Sequence, residues 1–73
     1  MTRQFTAIIE REDDIFTALC PELDIASQGK SVASARTNLQ EAIELYLETA
    51  SPEEIQHRLR GEIYVTQIEV SVG

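Results

Sequence analysis

The sequence predicts a two-layer α+β domain with the element order β-β-β-α-(short α)-β, in which one face of a mixed sheet is covered by a helix. Three features of the sequence lead to this prediction. Two alternating apolar segments flank an acidic turn near the start of the chain, an apolar stripe at helical spacing fills its middle, and another alternating segment follows Gly61. The 73 residues are enough for one domain only.

Three strands are predicted before the main helix. The first covers residues 3–11 and the second covers Ile15–Cys20, and the acidic turn between them predicts an antiparallel hairpin. Pro21 has no amide hydrogen to donate, so the second strand must end there or lie at a sheet edge. A short third strand is predicted over residues 23–27, and Gly29 permits the change of direction that follows it.

Two helices and a last strand follow. The first helix is predicted to begin at Ser31, whose hydroxyl can accept hydrogen bonds from early helical amides, and its apolar stripe needs a surface to cover. The stripe consists of Val32, Ala35, Leu39, Ala42, Ile43, Tyr46 and Leu47. The second helix is short: Ser51 caps it, Pro52 occupies its first position and Gly61 stops it. Residues 62–72 alternate as the last strand.

A helix on one side of the sheet leaves apolar residues on the other side, which we call the dimer face. These residues are Ile8, Ile15, Leu19, Ile63 and Val65. Contiguous apolar patches of several hundred Å² usually mark an interface, and a domain this small buries only about 60% of its unfolded surface. The sequence therefore predicts a homodimer or a higher oligomer, formed through the dimer face or through an exposed strand edge.

The charge of the chain constrains its partners. Thirteen Asp and Glu residues stand against six Lys and Arg residues, for a formal net charge of −7. Phosphate contacts depend on Lys and Arg, so direct nucleic-acid binding is disfavoured and a basic protein partner is favoured. The candidate contacts are the hairpin acids Glu10, Asp13 and Asp14 and the helix acids Glu41, Glu44 and Glu48. The alternative is that both groups form ordinary solvated surface.

Few residues offer chemistry. Cys20 is a candidate nucleophile, but the single histidine, His57, lies in another element, so a buried structural thiol is favoured. His57 also lacks companion ligands at metal-binding spacing, and the acidic turn lacks the ligand pattern of a calcium loop. Tyr46 and Tyr64 could stack on bases, but packing in the core is favoured for both. No catalytic residue, cofactor or metal is predicted, and the chain is expected not to be an enzyme.

Two negative features bear on location. No apolar run approaches the roughly 20 residues that span a bilayer, and the N-terminus has no targeting segment. The single cysteine cannot form a disulfide within the chain. A cytoplasmic protein without membrane contact is expected.

Two blocks of the sequence resemble the HicB-like antitoxin family. The first comprises Phe5-x-Ala7-x-Ile9-Glu10, Phe16-x-Ala18-x-Cys20-Pro21-Glu22-Leu23 and Ser27-Gln28-Gly29-x-Ser31, and the second is Glu41-Ala42-Ile43-Glu44-Leu45-Tyr46-Leu47-Glu48. The resemblance implies a partial ribonuclease-H-like fold without its catalytic carboxylates. It also implies a domain that binds and blocks a small basic toxin that cleaves messenger RNA. The C-terminal DNA-binding segment of many members is not expected, because the chain ends soon after the last predicted strand.

The sequence leaves three functions open. The favoured one is an antitoxin-type interaction module. The second is a solitary oligomeric protein that binds an unknown ligand and has no toxin partner, with any pocket of about 300 Å³ or more formed between subunits. The most remote is a degenerate nuclease, which would need converging carboxylates to hold metal ions, whereas the acids here are predicted on a turn and a helix surface.

Overall fold

A three-stranded sheet covered by one long helix forms the body of the protein. The computed structural model describes residues 2–73. Strands β1 (Ile8–Glu12), β2 (Ile15–Cys20) and β3 (Ile25–Gly29) are followed by helices α1 (Val32–Thr49) and α2 (Pro52–Arg58). Within the described residues the sheet has the order β1-β2-β3 and is antiparallel rather than mixed. The predicted α+β architecture is confirmed, with α1 packed mainly on β3 and β2.

The β1–β2 hairpin follows from its turn and from Pro21. Asp13 has a φ of 54°, in the left-handed region that Asp tolerates better than most residues. Ile8 pairs with Leu19, so β2 ends one residue later, before Pro21. Residues 2–7, which the sequence placed in the first strand, therefore continue past the end of their partner strand and are not part of the sheet.

The core lies between the sheet and α1. Its fully or nearly buried members are Ala18, Cys20, Leu23, Ala35, Leu39 and Ile43. Burial of each large apolar side chain stabilises the fold by about 1.5–3 kcal/mol. Leu23 is buried from the turn before β3, not from the strand that the sequence predicted over residues 23–27.

Gly29 allows α1 to approach the sheet closely. A Cβ atom at this position would lie 2.5 Å from the Ala35 amide nitrogen and 2.8 Å from the Ser34 carbonyl carbon. Its φ is not in the left-handed region. The sequence therefore identified the right glycine for a different reason: here the lack of a side chain, and not an unusual turn, is what the fold requires.

Both helices begin as predicted. The Ser31 hydroxyl accepts a hydrogen bond from the Ser34 amide at 3.0 Å, and the Ser34 hydroxyl accepts one from the Ser31 amide at the same distance, which completes a capping box. The Ser51 hydroxyl caps α2 by accepting a bond from the Glu54 amide at 3.2 Å. Helix α2 ends at Arg58, before the predicted stop at Gly61.

The predicted last strand is not formed within the chain. Residues 62–73, which we call the tail, contain no helix, strand, turn or bend. Tyr64 is 82%, Ile68 83% and Val72 93% exposed, so the expected packing of Tyr64 in the core is wrong. The alternating pattern correctly indicates an extended segment, but a strand also needs a neighbour for its amides and carbonyls, and the tail has none within residues 2–73.

Candidate protein-interaction surfaces

The hairpin acids lie together at one end of the sheet. Asp13 and Asp14 form the exposed β1–β2 turn, and Glu10 lies nearby on the open face of β1, opposite Thr17. The Arg11 side chain is held close to the same turn, because its Nε donates a hydrogen bond to the Asp13 carbonyl oxygen at 3.1 Å. Its guanidinium also lies 5.9 Å from the centroid of the Phe16 ring.

The helix acids occupy a different layer. Glu41, Glu44 and Glu48 are all exposed on α1, whereas the hairpin acids belong to the sheet. The six predicted contacts therefore form two separate surfaces and not one cluster. Within residues 2–73, no group of three or more His, Cys, Asp or Glu side chains is arranged to hold a metal ion.

The dimer face is only partly assembled. Ile8 and Leu19 face each other across β1 and β2, both exposed, and Ile15 lies at the other end of β2. Ile63 and Val65 are not on this face, because they belong to the unpaired segment after α2. This is a correction to the predicted set, and it has the same cause as the missing last strand.

A groove runs between residues 2–7 and α1. It has a volume of about 650 Å³. Its apolar residues include Phe5, Ala7, Leu39, Ile43 and Leu47, and its polar residues include Arg3, Arg36, Gln40 and Glu44. We call it the N-terminal groove. The sequence predicted a strand over residues 3–11 and so gave no indication of this concave surface.

Glu22 joins three parts of the chain. Its carboxylate accepts hydrogen bonds from the Thr6 amide at 2.9 and 3.1 Å and from the Thr6 hydroxyl at 2.7 Å. The Cys20 thiol lies 3.5 Å from the same carboxylate. The Glu22 carbonyl oxygen accepts a bond from the Arg60 amide at 2.9 Å. Glu22 therefore fastens the wall of the N-terminal groove and the root of the tail to the end of β2.

The ionisation of this cluster disfavours Cys20 as a nucleophile. Burial raises the pKa of the Cys20 thiol, and the neighbouring Glu22 carboxylate raises it further. Desolvation alone would raise the pKa of Glu22, but the bonds donated by Thr6 outweigh it and hold this pKa below its usual value. A thiol that is fully buried and reluctant to ionise has little reactivity, in agreement with the structural role predicted for it.

Arg58 fixes α2 to the turn between β2 and β3. Its Nε donates to the Leu23 carbonyl oxygen at 2.7 Å, and a terminal nitrogen donates to the Asp24 carbonyl oxygen at 3.1 Å. The guanidinium lies 5.3 Å from the centroid of the Tyr46 ring. The sequence placed Arg58 at a helix end, but nothing in the sequence indicated these distant partners. His57, its neighbour, is exposed as expected.

A UPF0150 protein of Helicobacter pylori (strain J99) is 35% identical to this chain over 66 residues, which cover 89% of this chain and 92% of that protein. The chain belongs to the UPF0150 family. A UPF0150 protein of Synechocystis is 44% identical over 50 residues, 66% of this chain and 69% of that protein. No family model and no solved structure matches. In this UPF0150 protein, no helix among residues 2–73 is both long and apolar enough to cross a membrane.

Proposed function

We propose that this UPF0150 protein is a HicB-like, antitoxin-type interaction module that sequesters a small basic toxin that cleaves messenger RNA. The observation that supports it is the pair of exposed acidic surfaces, at the hairpin turn and along α1, on a chain with a net charge of −7. Under this proposal the protein acts in the cytoplasm, where messenger RNA is translated.

The physical basis is charge complementarity. A protein that grips RNA must present Lys and Arg to phosphates, and an inhibitor that covers this surface needs acids in similar positions. Two opposite charges 4 Å apart attract by about 4 kcal/mol near a protein surface, against about 1 kcal/mol in bulk water. Several such pairs at the rim of an apolar contact would both speed association and select a basic partner.

A second function is favoured by the exposed apolar residues of the tail, among them Tyr64, Ile68 and Val72, which support self-association. The same protein could be a solitary oligomer that binds another ligand and has no toxin partner. This alternative differs from the first in one respect that can be tested: it predicts that no basic protein encoded beside it needs to be neutralised.

The test uses the reading frame adjacent to the gene in its native genome. The small basic protein encoded there is expressed alone and together with this chain, and growth and the half-life of bulk messenger RNA are measured. The proposal predicts arrest and rapid RNA decay with the basic protein alone, and recovery with both. If there is no such reading frame, or if the basic protein is harmless alone, the antitoxin proposal is wrong and the solitary oligomer is favoured.

Charge reversal then tests the acidic surface itself. Replacing Glu10 and Asp14 by Lys should weaken binding of that basic protein at least about tenfold, mainly through slower association. The control makes the same change in net charge at Glu53 and Glu54, exposed residues in the first turn of α2. Equal losses in the two variants would show that only overall charge matters and that the hairpin acids are not contacts.

A further inference from the structure

We propose that two copies of this protein exchange their tails, so that residues 62–72 of each copy lie as a strand in the N-terminal groove of the other. The proposal does not depend on a toxin partner. It follows from three properties of the described chain. The tail is an extended apolar segment without a neighbour, and the N-terminal groove is open beside an unpaired strand edge. The start of the tail and the groove also lie at the same end of the molecule.

The tail has the alternating pattern of a strand, but its apolar side chains are exposed to solvent. From Tyr64 to Val72, alternate positions hold Tyr64, Thr66, Ile68, Val70 and Val72, so one side is almost entirely apolar. Four of these five are large apolar side chains that are at least 66% exposed. Water can satisfy the backbone groups of this exposed segment, but its apolar side gains free energy when a partner covers it.

The exposed area gives the size of the missing contact. The accessible surface is 6181 Å², whereas a compact monomer of 8.2 kDa exposes about 4,500 Å². The radius of gyration is 14.3 Å, against about 11 Å for a compact chain of this length. The surplus of about 1,600 Å² per copy, or about 3,200 Å² for a pair, falls in the range of obligate dimers.

The N-terminal groove is shaped for such a strand. Within the described residues β1 pairs only with β2, so its other edge has unpaired amides and carbonyls. Phe5, Leu39 and Ile43 supply an apolar floor for the side that carries Ile68 and Val70. A tail that lies in the groove and continues along the open edge of β1 would cover α1 and extend the sheet, as in other cases of strand addition.

The charges of the two parts are complementary. Arg3 and Arg36 lie on the groove, accompanied by Glu44. Between Gly61 and Gly73 the tail contains two charged residues, Glu62 and Glu69, and no Lys or Arg. Glu62 lies on the same side of the tail as Tyr64 and Ile68, whereas Glu69 lies on the other side with Ile63 and Val65. Entry of the tail therefore brings one carboxylate, that of Glu62, toward a predominantly basic rim on an otherwise acidic molecule.

A second copy, and not the same chain, is the proposed occupant. The tail leaves the body at Arg60, which is bonded to Glu22, and after Gly61 it has no bend that would return it to its own groove. Thr6, in the wall of the groove, is bonded to the same Glu22. Root and groove thus meet at one end, so a two-fold axis there lets each copy donate and accept a tail in one reciprocal contact.

Strand exchange also completes the dimer face. Side chains on a strand point alternately to its two sides, so a tail that turns Tyr64 and Ile68 toward α1 turns Ile63 and Val65 to the open side of the sheet. There they would extend the exposed apolar pair formed by Ile8 and Leu19.

The first test measures self-association by sedimentation equilibrium. Replacing Ile68 and Val70 by Asp should weaken the dimer at least about a hundredfold, since charged groups would enter an apolar floor. The control places Asp at Gln67 and Ser71, on the other side of the same segment, and should weaken it far less. Wild-type protein that is monomeric at micromolar concentration, or equal effects of the two variants, would overturn the proposal.

The second test shows whose groove each tail occupies. Copies labelled with ¹³C and unlabelled copies are mixed through a denatured state and refolded, and isotope-filtered NMR spectra then report only contacts between copies. Contacts between the Ile68 and Val70 methyl groups and Phe5 or Leu39 of the other copy are expected. Contacts confined to one copy would show that the tail folds back onto its own groove. A dimer in which the Ile68 and Val70 methyl groups contact neither Phe5 nor Leu39 would also refute the exchange.

Discussion

The hydrogen bonds from Thr6 to Glu22 should make the stability of the protein depend on pH in a defined direction. The Thr6 hydroxyl donates to the carboxylate at 2.7 Å, and the Thr6 amide donates to both carboxylate oxygens. Replacing Thr6 by Val removes the hydroxyl and keeps the shape and the amide. Hydrogen bonds to charged groups contribute about 1.5–3 kcal/mol, and partial exposure of Glu22 reduces this to about 1 kcal/mol at neutral pH.

The sign of the pH effect follows from the lowered pKa of Glu22. A carboxyl group that is more acidic in the folded state stabilises the fold above its unfolded pKa of about 4.3. This stabilisation is lost as the pH falls through the folded pKa. The difference in unfolding free energy between wild type and Thr6→Val should therefore be largest at pH 7 and should shrink by more than half under strongly acidic conditions.

The assay is urea unfolding at pH 7 and at strongly acidic pH, at one protein concentration because an oligomer's stability depends on it. A loss of about 1 kcal/mol corresponds to a fall of about 4–8 °C in Tm for a domain of this size. Thr17→Val is the matched control, because its hydroxyl donates to the Glu10 carbonyl oxygen at a long 3.5 Å on the surface. Equal losses for both variants, or a Thr6→Val effect that is the same at both pH values, would refute the reasoning.

Three further substitutions test contacts in the body of the protein. Gly29→Ala should cost about 1–3 kcal/mol in urea unfolding, because its Cβ would lie 2.5 Å from the Ala35 amide nitrogen, and an unchanged midpoint would contradict the close approach. Tyr46→Phe should raise the unfolding free energy by up to about 1 kcal/mol in calorimetry, because the buried Tyr46 hydroxyl has no hydrogen-bond partner within residues 2–73; a loss of stability would mean that it has one. Arg58→Lys should lower Tm by several degrees, since an ammonium group cannot reproduce the forked contact that includes the Leu23 carbonyl oxygen. Proteolysis after α2 should become faster as well. An unaltered cleavage rate would contradict the role of Arg58 in fixing α2 to the turn between β2 and β3.

The parts of the fold that depend on local pattern were predictable. Of the predicted stripe on α1, Ala35, Leu39 and Ile43 are buried, whereas Val32 and Leu47 are exposed. Ser31 and Ser51 both cap helices as expected. Pro21 correctly marked the end of β2. These predictions succeeded because each depends on a few neighbouring residues, whose spacing and hydrogen-bonding groups can be read directly from the sequence.

The parts that depend on distant partners were not predictable. An alternating segment indicates an extended conformation, but it does not say which strand, or which copy of the chain, will pair with it. That is why the prediction of a last strand, with Ile63 and Val65 on the dimer face, is wrong for the single chain. The contacts of Arg58 with Leu23 span 35 positions in sequence, and no spacing rule connects an arginine to a carbonyl so far away.

The candidate site was predictable in its charge and not in its shape. Composition alone indicated an acidic surface, and Asp13 and Asp14 do form one exposed turn, with Glu10 on the adjoining strand β1. The N-terminal groove was missed because it depends on where β2 ends relative to residues 2–7. The role of Glu22 was missed as well, since a glutamate after a proline resembles any surface acid until its donors are known.

The burial of Cys20 makes its thiol a natural probe of how often the body of the protein opens. The single thiol is 0% exposed beneath the sheet and the helix, so a thiol reagent in solution can reach it only when the body opens. When opening is rare and reclosing is fast, the rate of labelling measures the free energy of that opening without any introduced probe. The opening free energies of all the variants discussed above can therefore be compared by labelling Cys20, and no probe has to be introduced.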